Sequence, residues 1–402
     1  MTAQVYNRRM VRKILHLDLD AFYCAVEMLY DESLTDAVFV VGGAGARGVV
    51  ASASYRAREY GIRSAMPMST ALRLYPDLVI VGRSDGRYSE KSREVMRVLH
   101  DLTPYVEKIS IDEAFLDVTL LPDDGAAIAA RLQKRINDTF KLPCSLGVAT
   151  NKLVAKIANN IGKAKAGTGE PPNWIEVVPP GEEAAFLAPL PIRELWGVGP
   201  KTAEKLAALG VKTIGDITRW PEAVLDQQFG KHGRDLYRHA RGIDERPVNT
   251  ERETKSISKE ITFDTDRTDG VEMRRVLRRL SDGVGRQVRK SKLKGRTVSI
   301  KLRWQDFTTL TRQITLDHPT DSDNEIYHAA ERLFMQNWPP GKPVRLIGVG
   351  ISGFDEGQRQ LGLWDDVRTI EEDQRLQDTL DDLRDRFGDG TIKRGSDLRR
   401  EP

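Results

Sequence analysis

Two short stretches carry the carboxylates able to do chemistry. ILHLDLDAFYC, residues 14–24, has the apolar content of a buried strand, yet Asp18 and Asp20 stand in its middle and Phe22 and Tyr23 follow at once. A carboxylate in an apolar strand costs several kcal/mol unless something pairs with it. ISIDEAFLDV, residues 109–118, puts Ile109 and Ile111 on one face of a strand and Ser110 and Asp112 on the other. Glu113 meets Asp112 at one point only if the backbone turns, and the broken alternation at Ala114 permits such a turn. Asp18, Asp112 and Glu113 then form a cluster, and clustered carboxylates repel unless a cation sits among them. Hard oxygen donors without His or Cys select Mg²⁺ or Mn²⁺ rather than zinc. Mg²⁺ typically joins carboxylates to substrate phosphates, which points to a nucleotide substrate and a two-metal displacement. For either pair alone, helix capping or pairing with a surface Arg stands as the alternative. Asp20 is expected to cap a helix starting at Ala21 rather than to bind metal.

Residues suited to phosphates lie elsewhere. SASYRAREYG supplies Ser52, Ser54, Tyr55 and Arg58, with Tyr55 and Arg58 three apart on one helix face. A hydroxyl, a phenol and a guanidinium there suit a triphosphate. NKLVAKIANNIGKAKAG carries Lys152, Lys156 and Lys163 around a helix, where Lys163 reads equally as a favourable charge on the helix dipole. LWGVGPKTAEKLAALGVKTIGDI, residues 195–217, is more specific. Gly197 and Gly199 let a hairpin backbone approach a ligand, Pro200 suits a first helical turn, and Lys201 follows. This is the pattern of a helix-hairpin-helix, which grips a DNA backbone without reading sequence.

The rest of the chain must position these groups. With 402 residues, 40% hydrophobic and 30% charged, it reads as a multidomain globular protein. Net charge is only +3, but residues 271–304 hold twelve Lys or Arg against two acids, whereas residues 355–402 hold nine basic and fourteen acidic residues. The first block reads as a polyanion-binding surface and the second as a solvated tail. Cys24 and Cys144 are too few for a disulfide framework or a cysteine zinc site, and read as core residues. No secretory signal or membrane-spanning run is evident, so a cytoplasmic protein without membrane contact is expected. Strands and helices alternate up to about residue 174, with a strand over 13–23. A Gly-punctuated helical part and a polar linker at 245–255 come next. A second α+β unit is expected as a strand near 256–263, a helix near 270–290, strands near 296–304 and 309–316, a helix near 322–337 and a strand near 344–352. The tail has one weakly helical stretch, EEDQRLQDTLDDLRDRF.

LDLDAFYCAVE, ASYRAREYGI, SIDEAFLDV, GVATNKLVAKIA and LWGVGPKTAEKL, in this order, together resemble the Y-family DNA polymerases of the bacterial DNA polymerase IV type, over roughly residues 12–353. The resemblance implies an α+β right-hand polymerase: palm at 1–21 and 86–174, fingers at 22–85, and a helix-hairpin-helix thumb at 175–245. A linker at 246–254, an α/β little finger at 255–354 and a charged tail at 355–402 complete it. It implies low-fidelity, template-directed DNA synthesis across damaged bases, with primer–template DNA and dNTPs as partners and a monomeric protein. Asp18, Asp112, Glu113 and the Leu19 carbonyl would hold two Mg²⁺ ions, with Mn²⁺ as a substitute. Ser52, Tyr55, Arg58 and Lys163 would meet the triphosphate. Phe22 and Tyr23 would floor the nucleotide site, with Tyr23 as the steric gate. Gly197, Gly199 and Lys201 in the hairpin and Arg289, Lys290 and Lys292 in the little finger would hold DNA. Gln360, Leu361, Leu363 and Trp364 resemble the peptide by which bacterial polymerases dock on the sliding clamp. The segment GKAKAGTG departs from the family's usual Lys-Pro-x-Gly after the palm helix. A non-catalytic polymerase-like subunit and a nucleotidyl cyclase are the rival readings; the intact acids weigh against the first, and the hairpin and basic block against the second.

Overall fold

The computed structural model describes residues 11–251, 253–354 and 367–388, with side chains in the last segment from 375 onward. The chain divides into two compact units, Met1–Arg252 and Glu253–Pro402.

The first unit is built on a five-stranded sheet of order β5-β6-β1-β7-β8. Its central strand β1 (Ile14–Leu19) runs antiparallel to β6 (Glu113–Asp117) and β7 (Cys144–Ala149). β5 (Val106–Lys108) closes one edge, and β8 (Ile175–Val177) adds in parallel at the other. The period-2 rule divides β1 into two sets. Leu15, Leu17 and Leu19 join a core with α1 (Phe22–Tyr30), α4 (Asp85–Leu102) and α5 (Gly125–Phe140). Ile14, His16 and Asp18 turn to the opposite face, where α6 (Lys152–Lys165) lies. A three-stranded sheet of order β3-β2-β4 joins β3 (Val50–Ala53), β2 (Phe39–Gly42) and β4 (Val79–Val81). It packs with α2 (Tyr55–Glu59) and α3 (Met68–Leu74). Short helices complete the unit: α7 (Glu183–Leu187), α8 (Pro200–Ala208), α9 (Ile214–Ile217), α10 (Glu222–Phe229) and α11 (Lys231–His239).

The second unit is an antiparallel sheet of order β11-β10-β12-β9, made by β9 (Ser256–Arg267), β10 (Gly295–Trp304), β11 (Thr309–Thr320) and β12 (Val344–Phe354). α12 (Gly270–Lys290) and α13 (Asp323–Asn337) cover one face through Val298, Ile300 and Leu302. The alternate residues of β10, namely Thr297, Ser299, Lys301 and Arg303, lie on the other face. A last helix, α14 (Val367–Phe387), follows.

Four expectations are corrected. The first strand stops at Leu19 rather than 23, because the chain turns sharply after Asp20. Strand β8 lies beyond residue 174, so the first sheet crosses the boundary drawn there. α1 falls in the stretch assigned to fingers, yet Phe22, Cys24, Ala25 and Val26 share the core of β1. The tail segment around Gln377 is not simply solvated. Asp381 and Asp385 pair with α12, and Gln377 is 5% exposed. Residues 360–364, with the clamp-like motif, lie outside the described residues.

Candidate active site and nucleic-acid interface

The turn after β1 builds the site. Ala21 adopts φ 45°, ψ 45°, left-handed for a residue with a Cβ, at a cost of about 1–2 kcal/mol. Hydrogen bonds on both sides hold it there: Leu19 N–H donates to Asp112 O (2.9 Å) and Asp20 N–H to Pro143 O (2.8 Å). The Asp20 carboxylate accepts from Ser145 Oγ (2.8 and 3.0 Å) and from the Asn173 amide (3.0 Å). Asp20 is thus a fully buried anchor and not the expected helix cap, since no side chain caps α1. The turn starts α1 at once and brings Phe22 and Tyr23 over a cleft of about 240 Å³. Asp18, Leu19, Phe22, Tyr23, Ser52, Tyr55, Arg58, Asp112 and Lys163 line that cleft together.

Rings brace one wall. Tyr23 lies 4.5 Å from the Tyr88 ring and 5.8 Å from Phe22, centroid to centroid. Tyr88, fully buried, donates its hydroxyl to Glu27 Oε1 (2.5 Å), and burial raises its pKa. On the other wall, Ser54 caps α2 by accepting the Ala57 N–H (3.1 Å). The Arg58 guanidinium then lies 4.4 Å from the Tyr55 ring centroid, with Nε donating to Ala53 O (3.1 Å).

The carboxylates sort into two groups. Asp18 and Asp20 share one ammonium, Lys163 Nζ, at 2.5 and 2.8 Å. Burial pushes the Asp18 pKa up, and Asp112 adds to the rise against the pull of Lys163. Burial alone would lower the Lys163 pKa, but the two carboxylates raise it well above its ordinary value. The two shifts thus have different causes: burial raises Asp18, and the facing carboxylates raise Lys163. Glu113 differs. It is paired across the sheet with Asp18, but its carboxylate meets His16 Nε2 (2.5 Å) and Lys156 Nζ. Asn159 Nδ2 faces the His16 and Ser145 carbonyls, so it donates to His16 Nδ1 (2.9 Å) and leaves the proton on Nε2 for Glu113. Burial opposes ionisation of Glu113, but His16 and Lys156 outweigh it and hold the pKa at about 2. The expected three-carboxylate cluster is therefore not assembled here. Among the described residues no three His, Cys, Asp or Glu side chains surround one point. His16, Asn159 and Ser145 were not anticipated, and Lys156, expected among the phosphate-facing lysines, pairs with Glu113 instead. The signal for His16 was its place two residues before Asp18, on the same face.

The cleft still fits a hard divalent cation. Its anionic donors are the carboxylate oxygens of Asp18 and Asp112, and Lys163 and Arg58 stand beside them to take phosphate charge. One or two carboxylates suffice when phosphates complete the shell.

Of the expected DNA-facing residues, Gly197 has φ +98°, which demands glycine, whereas Gly199 has an ordinary φ of −80° and N-caps α8 ahead of Pro200. Lys201 is exposed. Arg289 is not on a nucleic-acid surface. Its side chain is 8% exposed and bonds Asp323 Oδ1 (2.8 Å), Asp381 Oδ2 (2.8 Å) and the Asp321 carbonyl (2.7 Å). Lys290 pairs with Asp385 (3.2 Å), while Lys292 is exposed. The open sheet face presents Lys301 and Arg303 among hydroxyls, paired across β11 with Thr311 and Thr309.

Comparison with known proteins agrees with this architecture. The chain matches the impB/mucB/samB family model over residues 17–160, that family's C-terminal domain over 254–363 and the IMS family HHH motif over 180–211. It is 44% identical to DNA polymerase IV of Desulfatibacillum aliphaticivorans, covering 94% of this chain and 95% of that protein. It is 43% identical to DNA polymerase IV of Streptomyces coelicolor, over 85% and 71%. A Y-family DNA polymerase chimera of Dbh and Dpo4 superimposes with a TM-score of 0.76 at 26% identity, covering 85% of this chain and 99% of that one. The chain thus belongs to the Y-family DNA polymerases of the DNA polymerase IV type and is a DNA-directed DNA polymerase with the family's right-hand fold.

Proposed function

We propose that the cleft between Tyr23 and Lys163 joins a dNTP to a primer 3′ end by two-metal phosphoryl transfer, at low fidelity and across damaged templates. The observation that carries this reading is the convergence of Asp18 and Asp112 with Tyr55, Arg58 and Lys163 in one cleft. Asp18, Asp112 and the Leu19 carbonyl would hold Mg²⁺, with Mn²⁺ as substitute. When bound, the ions supply charge neutralisation at the phosphates and a more acidic primer hydroxyl. The protein's own groups do the positioning. Arg58, stiffened by the Tyr55 ring, and Tyr55 take the triphosphate with Ser52 beside them. Lys163 exchanges Asp18 for a phosphate oxygen while Asp20 keeps hold of it. Glu113 reaches the same cations only by releasing Lys156. Tyr23, with Phe22 behind it, sits under the sugar and excludes a 2′-hydroxyl by clash.

Gly197, Gly199 and Lys201 hold a DNA backbone, and the little-finger sheet grips it through Lys301 and Arg303. Residues 360–364 dock on the sliding clamp. The enzyme acts as a cytoplasmic monomer; among the described residues no helix is long and apolar enough to cross a membrane. Primer extension with the Asp112→Asn variant tests the centre. Loss of extension by several orders of magnitude with unchanged DNA affinity is expected. Extension near the wild-type rate would remove Asp112 from the chemistry.

A further inference from the structure

The hairpin between β10 and β11 ends in an exposed aromatic that no core claims. Phe307 is 62% exposed and holds φ +64°, a left-handed conformation that a residue with a bulky Cβ substituent rarely adopts. The turn is well determined: Phe307 N–H donates to Trp304 O (3.1 Å), Trp304 N–H to Thr308 O (3.0 Å), and Asp306 Oδ1 accepts the Thr308 N–H (2.9 Å). A tight turn with φ > 0 is the place for Gly or Asn. A large ring there, turned to solvent, has strain and apolar exposure against it.

Its surroundings give the ring a use. The Arg345 guanidinium lies 4.4 Å from the Phe307 ring centroid, and Lys342 Nζ lies 4.2 Å from that of Trp304. Arg303, tied to Thr309 Oγ1 (2.9 Å), adds a cation on the open face of the same hairpin. Asp306 is the one acid of the turn, and its carboxylate is held by the Thr308 amide. An arginine on a ring steadies it and leaves the other ring face available. Cations beside an exposed aromatic form the combination that binds single-stranded nucleic acid by base stacking.

We propose that Phe307 stacks on an unpaired template base of a DNA strand held by the little-finger sheet, making the hairpin a single-strand reader at the sheet's end. The proposal rests on the DNA-binding reading above. Stacking is sequence-tolerant because every base has a π-face, so the contact suits a strand whose next base is damaged.

The test compares binding of the full chain to a primer–template with a 5′ template overhang and to a blunt duplex of the same length, by fluorescence anisotropy. Phe307→Ala should weaken overhang binding roughly tenfold, the scale of one lost base stack, and leave blunt-duplex binding unchanged. Phe307→Gly relaxes the turn but lacks the ring, so it should behave like Phe307→Ala. Phe307→Trp should restore affinity, and its emission above the wild-type background should be quenched by oligo(dT). Equal overhang affinity in wild type and Phe307→Ala, equal losses on both DNAs, or an unquenched Trp would each overturn the proposal. Wild type supplies the separate control. If it neither binds nor extends primer–template DNA, the reading of function fails; if it does both, a negative result concerns the hairpin alone.

Discussion

At the scale of single residues, the site works by bracing. A ring proposed to exclude an atom must not yield, and Tyr23 is backed by Tyr88, itself fixed by its hydrogen bond to Glu27. Tyr23→Ala should keep dNTP insertion and raise ribonucleotide insertion by at least two orders of magnitude, while Tyr23→Phe should keep discrimination. Matched single-nucleotide insertion with dNTP and rNTP checks both. The aromatic pair after acids in an apolar strand singles out Tyr23, and the family resemblance supplies its role. The sequence could not announce Tyr88, which arrives from a helix more than sixty positions away. Nor could it show that Glu113 faces His16 and Lys156, because strand period alone does not say which cation lies opposite. That pairing makes a pH prediction. Glu113 titrates at about 2 in the folded protein, below its ordinary 4.5. The folded state therefore gains stability above about 4.5 and loses it as the pH falls towards 2. Buried His16, with a lowered pKa, adds a loss below its ordinary 6.5. Urea midpoints should thus fall on acidification. Glu113→Gln should be less stable than wild type at pH 7, with the gap narrowing below about 4.5 and closing only towards pH 2; a gap constant from pH 7 to 2 would remove the ionised Glu113 from the account.

At the scale of elements, close approach decides what the sheet can carry. α6 brings Lys156, Asn159 and Lys163 to β1 only because β7 has no side chain at Gly147. A Cβ there would lie 1.9 Å from Ala155 O and 2.6 Å from Asn159 N. Both contacts are backbone, so no rotamer relieves them. Gly147→Ala should cost about 3 kcal/mol or more and impair extension through the displaced Lys163; an unchanged thermal midpoint would show that α6 can shift without cost. Elements with a strong period were legible: α4, α5, α6, α12 and α13 lie where the apolar repeats put them, and the little finger alternates as read. β8 was not, since three residues, IEV, carry too little pattern to be told from a loop. α14 was seen as weakly helical and read as solvated. Leu376, Leu380, Leu383 and Phe387 recur at helical spacing and make the helix legible; its ion pairs to Arg286, Arg289 and Lys290 are what a search for apolar periodicity does not detect.

At the scale of the whole molecule, charge counted along the chain differs from charge presented in space. The basic block 271–304 runs from α12 into β10, two elements with different surroundings. In α12, Arg289 closes a buried network with Asp323, 2% exposed, and Asp381, against which Gly285 allows a close fit. In β10, Lys301 and Arg303 alternate onto the open sheet face. The second set is the one proposed to meet a polyanion, with Lys301 exchanging Glu260 for a phosphate. The two sets should respond oppositely to alanine. Arg289→Ala takes a buried guanidinium from Asp323 and Asp381, which costs about 3–5 kcal/mol. Its signature is a lower melting temperature of the second unit with DNA affinity unchanged below the transition. The pair Lys301→Ala and Arg303→Ala should leave stability nearly intact and weaken DNA binding. Each phosphate contact removed lowers the slope of log K against log salt concentration by about 0.9, so the double variant should lose about two. Weakening should be equal for unrelated sequences, since backbone contacts carry no base information. Titrations of the three proteins at several salt concentrations decide the matter. An unchanged slope in the double variant together with a reduced one for Arg289→Ala would return the DNA-binding surface to α12.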